Sequence, residues 1–63
     1  MKLVIGNSYI LVVEGTNQKL TYTCRIIDED ENFITFIDKM GKTLNYRKDK
    51  IISVEEIGGS DGE

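Results

Sequence analysis

The chain has 63 residues, 40% of them hydrophobic and 30% charged, with a net charge of −3. That is the make-up of one small globular domain and not of a disordered segment, and so short a chain hides only about 60% of the surface its unfolded form exposes. One cysteine, Cys24, excludes an internal disulfide, and the absence of histidine removes the commonest metal ligand and general base.

Met1–Gly6 lacks the long apolar core of a signal peptide. The apolar run Tyr9–Val13 is far too short to span a membrane, so the expected location is the cytoplasm, with no membrane partner. Lys2–Asn7 reads as an extended lead-in closed by a Gly6-Asn7 turn. Ser8–Glu14 (SYILVVE) is rich in β-branched residues and too short for a helix, which predicts a first strand. Its unbroken apolarity from Tyr9 to Val13 predicts burial on both faces, or one face against the core and the other against a partner. Gly15-Thr16-Asn17-Gln18 is a polar loop suited to a hairpin.

Lys19–Ile27 alternates with a period of two. Leu20, Tyr22, Cys24 and Ile26 fall on one face and Thr21, Thr23 and Arg25 on the other, which predicts a half-buried second strand. Asp28-Glu29-Asp30-Glu31 repel one another and demand water, so they are expected to form the turn to the next strand. Asn32–Asp38 (NFITFID) is a third strand, and Lys39-Met40-Gly41-Lys42 a tight turn with Gly41 free to take a left-handed conformation. Thr43–Tyr46 is a short fourth strand, Arg47–Lys50 a single 3-10 turn, and Ile51–Ile57 a fifth strand. The residues 58–63 hold only glycine, serine and acids and are expected to be disordered. Five short strands with no room for a helix predict an all-β fold, a small SH3-like barrel over residues 1–57.

The segments Glu31-Asn32-Phe33-Ile34-Thr35-Phe36, Tyr46-Arg47-Lys48 and Ile51-Ile52-Ser53-Val54 resemble the Sm-like family. There an acidic residue precedes a third strand of this form, and a basic pair after an aromatic or apolar residue opens the connector to the last strand. The resemblance spans Arg25 to Val54, roughly half the chain, and implies a five-stranded barrel that binds RNA. Several family features differ: no N-terminal helix is encoded, Phe33 stands where the family carries a base-holding asparagine, and Lys48 stands where it carries glycine. Only Arg47 carries over as a site residue, and fold alone does not transmit function.

Among candidate sites, oxygen ligands at Asp28, Asp30 and Asn32 match the opening of a calcium loop. Such a loop also needs glycine sixth and glutamate twelfth, where this chain has Phe33 and Lys39, so a solvated acidic turn is expected and no metal or other cofactor. Lys39, Lys42, Arg47, Lys48 and Lys50 gather five of the eight basic residues within twelve positions. With Tyr46 or Phe33 as a stacking face they form the candidate surface for a phosphate backbone or a partner. Cys24 has no histidine to activate it, which predicts a small buried hydrophobe and no enzyme. Tyr9, Tyr22 and Tyr46 are expected as core or rim aromatics with wet hydroxyls, and without tryptophan a proline-peptide groove is not expected. The function expected is a non-enzymatic binding module acting on a protein partner or as a homo-oligomer. The alternative is an Sm-like regulator that binds RNA or single-stranded DNA through the 39–50 segment.

Overall fold

The structure, a computed structural model, describes residues 3–58. Five strands follow in order: β1 (Ser8–Glu14), β2 (Lys19–Glu29), β3 (Phe33–Asp38), β4 (Thr43–Arg47) and β5 (Ile51–Gly58), with a 3-10 turn at Lys48–Lys50 before β5. They form one antiparallel sheet in the order β4-β3-β2-β1-β5. Three hairpins lay β1 to β4 side by side, and β5 returns to the free side of β1. Among the described residues β4 and β5 do not pair. The fold is all-β with five strands and one 3-10 turn, as expected, and because the sheet is open it is barrel-like only loosely.

The eleven-residue β2 holds the two halves together. Its first part, from Lys19 to Arg25, pairs with β1, and its last part, from Cys24 to Glu29, pairs with β3. Alternation along β2 puts Cys24 and Ile26 into the core, with Tyr22 and Leu20 packed at its margin. From β1 come Tyr9, Leu11 and Val13, and from β3 Ile34 and Phe36. Leu3 completes the core because the Val4 N–H donates to the Tyr9 hydroxyl at 2.9 Å and so ties the lead-in down.

Every strand after β1 differs from the sequence reading at one boundary: β3 begins at Phe33 instead of Asn32, β4 takes Arg47 from the 3-10 turn, and β2 and β5 run further than expected. Asp28 and Glu29 belong to β2 and not to the turn, because Glu29 pairs with Lys48 at 2.7 Å and its charge is offset at the sheet rim. Gly58 is the last residue of β5 and pairs with Ser8, whereas the expectation for 59–63 lies outside the described residues. The tight turn after β3 is built as expected, with Gly41 at φ +87. The Asp38 carboxylate finishes it, its Oδ1 accepting the N–H groups of Met40 and Lys42, each at 2.9 Å.

The Ser8–Glu14 run, expected to be buried on both faces, is an interior strand and presents no edge. Tyr9, Leu11 and Val13 are buried, while Ile10 and Val12 are half-buried on the outer face. The two edges of the sheet are β4 and β5.

Candidate functional site

The five clustered cations do not converge. Lys39 and Lys42 sit on the turn before β4, and Arg47, Lys48 and Lys50 at its far end, beyond a strand of five residues, or about 16 Å. Lys48 is committed: its ammonium is half-buried against Glu29, and its N–H donates to the Asn32 carbonyl at 2.8 Å. Arg47 pairs with Asp49 at 3.3 Å across an exposed surface, a contact of little energy. Tyr46 does not face outward with Arg47. Its ring stacks on Phe36 at 5.9 Å, and its hydroxyl is 3.0 Å from that of Tyr22. That hydrogen bond, and then burial, push the Tyr22 hydroxyl up to about 12, and the two hydroxyls are paired with each other at the partly exposed margin of the core. Phe33 is exposed on the outer face directly opposite Arg47.

The acidic segment resolves into separate parts. Asp30 Oδ1 accepts the N–H groups of Asn32 and Phe33, both at 2.8 Å, which closes the turn and holds its carboxyl below the usual carboxylate range. Among the described residues no three acidic, cysteine or histidine side chains gather as a metal site. Cys24 is buried, and desolvation followed by the Asp38 carboxylate pushes its thiol up to about 11, far from a thiolate nucleophile at neutral pH.

What alternation did not reveal lies on β2 and β5. Ile26 faces Phe36 and Asp28 faces Thr35, so Ile27 is the extra residue of a β-bulge. On β5, Ile51 faces Val13 and Ser53 faces Val12, which leaves Ile52 unpaired, and Glu56 and Gly58 face Tyr9 and Ser8, which leaves Ile57 unpaired. These three bulge residues are 39%, 45% and 47% exposed. Each is thrown out of the pleat, so a core-sized side chain reaches solvent by backbone geometry. The doublets Ile26-Ile27 and Ile51-Ile52 carried the signal, since two adjacent apolar residues break a period of two.

The bulge at Ile57 also overhangs an open groove of about 300 Å³ on the outer face, lined by Ser8, Thr23, Arg25, Ile37 and Lys39 among others. No helix is long and apolar enough to cross a membrane among the described residues. No family model, no curated protein and no solved structure matches this chain.

Proposed function

We propose that the chain is a small non-enzymatic interaction module that joins a protein partner, or its own copies, through its strand edges. The observation that carries this reading is β5. It is an eight-residue edge strand with a row of backbone groups open on one side, and its two bulges turn Ile52 and Ile57 to solvent. Natural proteins blunt such edges unless they use them, and an added strand gains both ladder hydrogen bonds and apolar contact. The other edge differs in kind. β4 is five residues long and flanked by Lys42, Lys48 and Lys50, whereas β5 carries Glu55 and Glu56. Opposite signs favour β4 of one copy against β5 of another over either edge against itself.

The test is size-exclusion chromatography with light scattering over a wide concentration range. The expected result is a mass that rises with concentration, and an Ile52→Lys variant that stays monomeric with an unchanged circular dichroism spectrum. A strict monomer at high concentration removes self-association.

A second reading takes single-stranded nucleic acid as the ligand, motivated by the Sm-like resemblance. β4 itself holds no acid, and Phe33 beside Arg47 supplies an exposed ring at its basic end. It expects oligonucleotide binding that weakens steeply with salt and is lost on Arg47→Glu. Unmoved amide resonances with oligonucleotides at low salt would sink it.

A further inference from the structure

β2 is longer than β3, and the excess leaves open backbone in the middle of the sheet. β3 pairs with it only from Cys24 to Glu29, and Cys24 faces Asp38, the last residue of β3. The first part of β2, from Lys19 to Thr23, is paired with β1 on one side. On its other side no strand pairs with it among the described residues. Thr23 would meet Lys39 at the next place in the ladder, but the chain turns away there. That turn closes on itself: the Asp38 N–H donates to the Lys42 carbonyl and the Gly41 N–H to the Asp38 carbonyl, each at 2.9 Å.

Between the flank and the turn lies an open cleft of about 350 Å³, lined by Thr21, Tyr22, Thr23, Asp38, Lys39 and Met40. Successive strand residues point to opposite faces, so three in a row line one cleft where the backbone edge itself is the wall. None of the six belongs to β4 or β5, the edges of the sheet.

We propose that this flank of β2 docks an extended acidic peptide of a protein partner, lying where β3 stops short. Unpaired strand backbone gains ladder hydrogen bonds from an added strand, which a peptide supplies and a nucleic acid does not. Charge selects the acids. Lys19, Thr21 and Thr23 share the exposed face of β2, and Lys39 stands at the Thr23 end. Four steps of about 3.4 Å set Lys19 about 14 Å from Thr23, so the two ammonium groups flank about five residues of strand. Neither has an ion-pair partner among the described residues, in a chain of net charge −3. Asp38, the one acid in the cleft, already accepts the N–H groups of Met40 and Lys42. Apolar contact comes from Met40, which is 88% exposed, and from the Tyr22 ring on the opposite face.

The test uses the full chain, its NMR spectrum and a capped Glu-Val-Thr-Val-Glu peptide, whose valines face Tyr22 when its acids face the lysines. At millimolar peptide the amide resonances of residues 19–23 and the Met40 methyl are expected to move, and those of Ile52 and Ile57 to stay in place. Lys39→Glu, on the exposed turn, is expected to weaken binding about fivefold. Ile52→Lys is expected to bind as the parent does, so this edge stands or falls apart from β5. Three results overturn the proposal. One is that residues 19–23 stay unmoved at millimolar peptide. Another is equal movement with the uncharged Gln-Val-Thr-Val-Gln peptide or with oligothymidylate. The last is that the same resonances move with protein concentration alone, which would seat a second copy there instead.

Discussion

Asp30 is one of four consecutive acids, and nothing in their order singles it out. The backbone does, by aiming two N–H groups at one of its oxygens. Its carboxyl is held below the ordinary range chiefly by those two hydrogen bonds, so the charged form belongs to the folded state. The sign follows: its contribution is present above the unfolded pKa and is lost as pH falls through the lower, folded value. Asp30→Ala is expected to lower the melting temperature at neutral pH and to lose less on acidification than the parent, as a thermal scan at stepped pH would read. Asp28→Ala, whose carboxyl reaches only the neighbouring Glu29 N–H, is expected to lose less at neutral pH. Cys24 gives the alkaline counterpart. Its folded pKa of about 11 exceeds the ordinary 9.0, so its contribution is intact below about pH 9 and is lost as pH climbs toward 11. The urea midpoint is expected to fall over that window, and Cys24→Ala to fall less steeply from pH 9 to 10, before Tyr22 begins to titrate. Burial of the cysteine was legible in the alternation of β2. The Asp38 carboxylate beside it was not, since that neighbour arrives through strand register.

At the scale of elements, a period of two read the burial of β2 correctly as far as Ile26 and does not fit β5, for one reason. Alternation assumes one residue against one, and each bulge sets two against one. β5 consequently has its half-buried positions at Ile51, Val54 and Gly58, three and then four residues apart instead of two. The third bulge, at Ile27, allows a sharp test because two identical residues sit side by side with opposite fates. Ile26 is fully buried and Ile27 is turned out. Ile26→Ala is expected to cost about 2–5 kcal/mol, in the range for emptying a core site. Ile27→Ala is expected to stay within about 0.5 kcal/mol, as surface changes usually do. Paired urea titrations measure the difference directly, and equal losses would mean that β2 runs without its bulge.

At the scale of the molecule, the fold class was legible and the closure was not. Strand count and turn chemistry are local. Whether β4 and β5 meet depends on how far the sheet curls between them, which no stretch of sequence encodes. The same limit applies to the basic segment, compact in sequence and divided in space by the length of β4. The connector between the two edges is itself tied to the sheet, and the tie passes through Lys48. This residue opens the 3-10 turn between β4 and β5, donates its N–H to the Asn32 carbonyl and pairs with Glu29 at the end of β2. The pair therefore fixes where the chain leaves one edge of the sheet and turns back toward the other. At roughly 0.05–0.15 kcal/mol per residue the whole domain is stable by about 3–9 kcal/mol, so even a modest clamp matters. The side chains are 23% and 18% exposed, which shields the pair better than a surface one and leaves it worth about 1 kcal/mol. Lys48→Ala is expected to cost about that amount, most at low salt, and to release amide protons of β4 and β5 together in hydrogen exchange. Lys50→Ala, two residues away and without an ion-pair partner among the described residues, is expected to change stability by less than about 0.5 kcal/mol. A Glu29→Gln/Lys48→Met double variant, which leaves neither charge stranded, is expected to lose less than the two single losses added together. If the losses simply add, the turn is held by its backbone alone and the ion pair only decorates it.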